Sequence, residues 1–186
     1  MRNLVLFFTL ITFTTLAHAK FEIQTSTGYS SNADGKTNYA FTDMTNHIFL
    51  GASFDNKDKY VVGQNISIIS NQYKVSTTNK LSTLELGPRL NWYINTDRNF
   101  FVAVAWNPYA KGTRTVSSTT EKISGWSYLL AFGAVLKMGG NFYMGASINY
   151  HSLSITEAIS SSNTASTVSN NYTSLMPMLN ISFRFR

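Results

Sequence analysis

Between Ile123 and Asn149 the chain alternates apolar residues with small or polar ones at a period of two. Trp126, Tyr128, Leu130, Phe132, Ala134 and Leu136 share one face, and Ser127, Leu129, Ala131, Gly133 and Val135 share the other. After Lys137-Met138-Gly139-Gly140-Asn141 the alternation resumes. Phe142, Met144, Ala146, Ile148 and Tyr150 now lie on one side, with Tyr143, Gly145, Ser147, Asn149 and His151 on the other. A period of two marks strands rather than helices. A strand of ~10 residues with one unbroken apolar face can cross a tilted bilayer path. The stretch therefore predicts a hairpin of a membrane β-barrel.

The same template predicts further strands at Phe21–Asn32, Tyr39–Phe54, Tyr60–Ile69, Leu81–Ile94, Phe100–Ala110 and Asn171–Arg186. The cleanest is Leu81–Ile94, where Leu84, Leu86, Pro88, Leu90, Trp92 and Ile94 oppose Glu85, Gly87, Arg89, Asn91 and Tyr93. Pro88 has no N–H for a ladder, so a bulge or an unpaired position is expected there. The connections alternate in length. Asn32–Lys36, Ser70–Lys80, Lys111–Lys122 and Thr156–Asn170 read as polar loops, whereas Asp55–Lys59, Asn95–Asn99 and Lys137–Asn141 are short. Together these elements predict an all-β fold, an eight-stranded antiparallel transmembrane β-barrel with short periplasmic turns and longer extracellular loops. Both chain ends then lie on the periplasmic side.

The charges and aromatic rings fit this pattern. Glu22, Asp43, Glu85, Arg89, Lys137, Arg184 and Arg186 all have the parity of the face opposite the apolar one. A Lys or Arg pointing into lipid at mid-membrane costs ~2–4 kcal/mol, so a barrel keeps such residues inside. Phe54, Tyr60, Trp92, Phe100, Phe142, Phe183 and Phe185 gather near the short turns; Tyr29, Tyr39, Trp106, Trp126, Tyr128, Tyr150 and Tyr172 gather near the loops. Two such belts suit the two membrane interfaces.

Met1–Ala19 reads as a signal peptide that is removed. Arg2 supplies its positive start, Leu4–Leu16 its apolar run and Ala17-His18-Ala19 a small-x-small cleavage site. The mature chain, Lys20–Arg186, is one barrel domain with no room for a second. Charged residues make up 13% of the chain, against ~25% in soluble domains, and Phe, Tyr and Trp make up 14%. Cysteine is absent. The formal net charge is +6, yet the lysines are scattered through connections, so nucleic acid is not an expected partner. A secreted ligand-binding barrel is the rival on location, but it would leave a large Trp-, Leu- and Phe-bearing surface in water.

The inward face mixes Gly51, Gly63, Gly87, Gly133 and Gly145 with Phe49, Tyr93, Phe101, Tyr109 and Tyr143. Small residues opposite large ones predict a packed lumen, as expected at eight strands. Glu22, Glu85, Arg89 and Arg184 are the candidate lumen polar network. Glu85 and Arg89 are separated by ~13 Å along one strand and cannot pair directly. Glu22 and Arg184 are a candidate pair because the first and last strands must close the barrel. The alternative for this network is a proton or ion path. His47 and His151 also point inward, but without Cys and with few carboxylates they predict no metal site. Lys74, Lys80, Lys111, Arg114 and Lys122 are candidate surface contacts to anions, set against the plainer reading of solvated loop charge.

The signal peptide ending Ala17-His18-Ala19, the strand Leu84-Glu85-Leu86-Gly87-Pro88-Arg89-Leu90 and the closing Leu179-Asn180-Ile181-Ser182-Phe183-Arg184-Phe185-Arg186 resemble the small bacterial outer-membrane β-barrel proteins of the OmpA, OmpX and OmpW kind. The resemblance covers the whole mature chain. It implies location in the outer membrane, contact with outer-membrane lipid and lipopolysaccharide, and delivery by the barrel-assembly machinery. In that family the last strand ends in an aromatic residue; here Phe185 is penultimate and Arg186 terminal. Outer-membrane lipid A deacylases place a His and a Ser two apart on one strand face, with a Glu. Here Leu153 stands two after His151, while Ser152 and Ser154 take the opposite face and Glu157 follows, so no catalytic residues are expected. The expected role is structural, or surface interaction through polar extracellular loops, as a monomer without cofactor. The alternatives are a narrow porin-like channel or a passage for small apolar molecules, and third a lipid-modifying enzyme.

Overall fold

The computed structural model describes residues 20–32, 40–55, 57–74, 78–160 and 164–185. Met1–Ala19, the stretch read as a signal peptide, and Asp34, Lys36, Tyr39 and terminal Arg186 lie outside the described residues. Eight strands follow one another around a closed barrel: β1 (Phe21–Asn32), β2 (Ala40–Ser53), β3 (Tyr60–Lys74), β4 (Thr78–Tyr93), β5 (Phe100–Val116), β6 (Thr119–Gly139), β7 (Phe142–Ile159) and β8 (Ala165–Phe185). Each is antiparallel to its neighbours, and β1 meets β8 to close the ring from Phe21↔Phe185 to Thr27↔Leu179. No helix occurs among the described residues.

Alternation decides which way each side chain points, as the period of two requires. Leu130, Phe132 and Leu136 on β6 are 49%, 57% and 62% exposed, while the alternate residues Leu129, Ala131 and Val135 are buried. On β4, Leu84, Leu90 and Trp92 point out, and Glu85, Arg89, Asn91 and Tyr93 are buried inside. Glu22, Asp43 and Arg184 are likewise buried in the lumen. Lys137 has inward parity but lies exposed at the turn end, on the wall of a vestibule there.

Three stretches read as loops are largely strand. β3 and β4 run on to Lys74 and from Thr78, β5 and β6 meet at a turn around Ser117, and β7 and β8 extend to Ile159 and from Ala165. Their Ser and Thr lack the apolar alternation that marks a half-buried strand. They still pair well on a pleated surface, as the Thr115 and Thr120 hydroxyls do at 3.0 Å. Ser117 takes a φ of 58°, the left-handed conformation that lets a tight turn follow the strand twist. As a result β1 has 12 residues and β8 has 21, and β5–β8 rise as a ribbon wall above β1 and β2.

Irregularities cluster around Pro88. The β4–β5 register shifts between Leu86 and Arg89, so Pro88 lies at an irregularity as expected, although the extra residue is in β5, at Pro108–Tyr109. On the facing strand the β5–β6 register shifts between Asn107 and Ala110. This β5 bulge reverses the alternation above it. Tyr109, read as inward, is consequently outward and 43% exposed.

Candidate functional site

The lumen is filled in layers. At the end bearing the short turns, Glu22 of β1 stands opposite Arg184 of β8 in the closing register, with Nε and Oε2 3.7 Å apart. The expected pair is therefore present, in larger company. Arg98 Nη2, from the β4–β5 turn, donates to Glu22 Oε2 at 2.7 Å, and the Tyr93 hydroxyl donates to Oε1. The Arg184 guanidinium lies over the rings of Tyr143 and Tyr93, 4.0 and 4.5 Å from their centroids, and Nη1 donates to the Arg98 carbonyl at 3.0 Å.

Above this floor an apolar layer of Phe49, Val61, Tyr93, Phe101, Ala103, Ala131 and Val135 spans the lumen. Glycines make room for its rings: a Cβ on Gly51 would sit 2.3 Å from the Phe49 ring, and one on Gly133 2.7 Å from Phe101. Arg89 lies against this layer with its guanidinium 5.0 Å from the Phe49 centroid. It finds amides rather than a carboxylate: Nε donates to Asn91 Oδ1 at 2.8 Å and Nη2 to Gln24 Oε1 at 3.0 Å.

The middle of the lumen is polar. Glu85 accepts from His151 Nε2 at 2.8 Å, from Thr83 Oγ1 at 3.0 Å and from the Ser127 hydroxyl. Because a carboxylate only accepts, the proton on His151 is assigned to Nε2. The network continues from Asn107 Nδ2 to Ser127 Oγ at 2.9 Å, from Asn65 Nδ2 to Asn107 Oδ1 at 3.1 Å and from Asn65 Nδ2 to Ser67 Oγ at 2.8 Å. Ser67 in turn meets His47 Nδ1 at 2.7 Å. Hydrogen bonds thus link β2 through β7 across the interior. A second apolar layer of Leu81, Ala110, Ile123, Leu153, Ile155 and Ala158 lies over the β4–β7 side of this network, with Val168 and Tyr172 packed against it.

The four residues read as one network fall into separate layers. Glu22 and Arg184 form the floor, Arg89 binds amides above it, and Glu85 belongs to the central network. Reasoning from parity missed Arg98, which lies in a turn, and the His151–Glu85 contact. Ser152 hydrogen-bonds Tyr128 on the outer side of β7, away from the lumen-facing His151. Among the described residues no group of three or more metal-binding side chains forms.

The surface cations are spread over several strands. Lys74 ends β3, while Lys80, Lys111 and Lys122 are exposed on adjoining β4, β5 and β6. Lys111 Nζ lies 5.2 Å from the outward Tyr109 ring. Arg114 Nη2 is bound by Glu121 at 2.7 Å.

No family model matches the chain, and no curated protein does. Among solved structures it is similar to Neisserial surface protein A, with 12% identity, 90% of this chain and 96% of that one covered, and a TM-score of 0.48. It is also similar to the β domain of the Bordetella autotransporter BrkA, at 7% identity over 90% and 98% of the two chains with a TM-score of 0.47. The translocator domain of the autotransporter NalP from Neisseria meningitidis aligns at 11% identity over 94% of this chain and 64% of that one, with a TM-score of 0.42.

Proposed function

We propose that the chain is an integral outer-membrane β-barrel with a sealed lumen, whose role is structural or surface interaction at the ribbon end. One observation carries this reading. The outward face below the ribbons is apolar and aromatic, from Phe21, Trp92 and Phe183 up to Tyr29, Trp126 and Leu175, while Glu22, Asp43, Glu85, Arg89 and Arg184 are buried inside. In water such a face would be a large exposed patch; in a bilayer it is the required surface. The two apolar layers across the lumen support a barrel that does not conduct.

Lys80, Lys111 and Lys122 stand above this belt on adjoining strands, Lys111 beside Tyr109 in the manner of a side chain reaching from the apolar edge toward charged headgroups. They suit contact with the phosphates of lipopolysaccharide. The test is thermal stability of the refolded barrel in bilayers with and without lipid A. Lipid A should stabilise the wild type, and a Lys80→Gln/Lys111→Gln/Lys122→Gln variant should lose most of that gain. An equal gain in both would reject the contact.

A second reading, passage of small apolar molecules, draws on the seam. β1–β8 pairing stops at Thr27↔Leu179 although both strands continue. A cleft of ≈ 330 Å³ lies there, lined by Ser30, Asp43 and both faces of β8 at Tyr172–Met176. It shares Asp43 and Tyr172 with an inner pocket that reaches His151. A fluorescent fatty acid should then bind the wild type and not Ser30→Trp; equal binding by both would reject this route.

A further inference from the structure

At the turn end the barrel does not close flush. A vestibule of ≈ 560 Å³ opens there between the β2–β3, β4–β5 and β6–β7 turns and the chain segment at Lys20. Its wall carries Lys20, Lys57, Arg98, Lys137 and Arg184 against two acids, Asp58 and Asp97. The only further carboxylate among the described residues at its floor is Glu22, shared by Arg98 and Arg184. Asp58 is taken by Lys20. Positive charge is therefore in excess in a concave, partly desolvated mouth, where it acts more strongly than on a flat surface.

Two features show more than scattered charge. Arg184 is 5% exposed and held in one orientation by Tyr93, Tyr143 and the Arg98 carbonyl. Its Nη2 nevertheless has no hydrogen-bond partner among the described residues, nor does Arg98 Nε, and Arg184 Nε reaches no acceptor closer than Glu22 Oε2 at 3.7 Å. Buried guanidinium N–H groups left without acceptors are costly. An oriented guanidinium with spare donors, ringed by flexible ammonium groups, is the arrangement that receives a tetrahedral oxyanion.

We propose that this vestibule is a binding site for a phosphate group, with Arg184 and Arg98 at its base and Lys57 and Lys137 at its rim. A phosphate matches the excess positive charge of the wall, and Arg184 and Arg98 bring donors without a hydrogen-bond partner to its base. The same group is presented by free inorganic phosphate and by an anionic phospholipid headgroup, and the site is independent of the role argued for the ribbon end.

The test uses the whole mature barrel, refolded in a maltoside detergent and isotopically labelled so that the arginine Nε–H resonances are resolved. Phosphate is titrated at constant ionic strength against chloride. The Arg184 and Arg98 resonances should move saturably with phosphate and stay still with chloride. In the Lys57→Gln/Lys137→Gln variant, whose changed side chains are exposed and leave the fold intact, affinity should fall roughly threefold or more, the scale of two partly exposed ion pairs. A second arm dopes the micelles with phosphatidylglycerol. Saturation by inorganic phosphate assigns a free anion, and saturation by the lipid alone assigns a headgroup. No saturable shift in either arm, a shift that follows ionic strength alone, or unchanged affinity in the double variant would overturn the site.

Discussion

Glu85 of β4 and His151 of β7 are 66 residues apart in sequence and meet inside the barrel, His151 Nε2 standing 2.8 Å from Glu85 Oε2. The two strands lie on different walls of the ring, so this contact bridges the lumen. Glu85 is fully buried and also accepts from Thr83 and Ser127. Replacing it with Leu strands three donors and should destabilise the barrel by at least about 1–3 kcal/mol, the cost of leaving a buried donor without its acceptor. Urea unfolding in detergent measures this. The Glu85→Leu/His151→Phe pair should recover part of the loss, and strictly additive effects would show that the two residues do not interact.

After Tyr93, Phe49 and Phe101 are the largest side chains of the layer above the floor, and both are almost wholly buried. Phe49→Ala should cost about 3–5 kcal/mol, as large-to-small changes do where a rigid wall cannot collapse into the space. A smaller loss than about 1 kcal/mol would mean that the layer is loosely packed.

Glycine tolerance should follow backbone approach. A Cβ on Gly63 would lie 1.9 Å from the Leu50 carbonyl oxygen on the paired strand, whereas nothing lies within 4 Å of one on Gly139. Gly63→Ala should lower the folded yield sharply while Gly139→Ala leaves it unchanged. Folded yield is read from the heat-dependent gel mobility of the barrel, and equal yields would contradict the close approach of β2 and β3.

Acid should weaken the β2–β3 turn. Burial alone would raise the Asp55 pKa. The backbone N–H groups of Tyr60, Lys59 and Lys57, at 2.9, 3.1 and 3.2 Å, outweigh it and hold the carboxyl below its usual range. A folded pKa below the unfolded one, ~3.9, means that the stabilisation is present above the unfolded value and is lost as pH falls through the folded one. The difference in unfolding midpoint between wild type and Asp55→Asn should therefore be constant near neutral pH and shrink below about pH 4. A difference that grows in acid would contradict the assignment.

Much of the barrel can be read from residue parity. The eight strands, the buried charges and the Glu22–Arg184 pair follow from alternation and from the need to close first strand on last, and the irregularity at Pro88 from its missing N–H. Height within the lumen does not. Parity places Glu85 and His151 on the inner face, but strand tilt and register decide that they meet while Arg89, on the same strand as Glu85, binds amides. The Ser- and Thr-rich ribbons carry no apolar alternation and so read as loops. A single extra residue in β5 is enough to turn Tyr109 outward.

Lumen closure is tested most directly by the conductance of the refolded mature protein in a planar bilayer, with folding verified by gel mobility and the Glu85→Gln/Arg89→Met variant run alongside. With apolar layers on both sides of the polar middle, the folded wild type should show no discrete openings. Reproducible openings whose size changes in the double variant would contradict a sealed barrel and make the Glu85 and Arg89 layers part of an ion path.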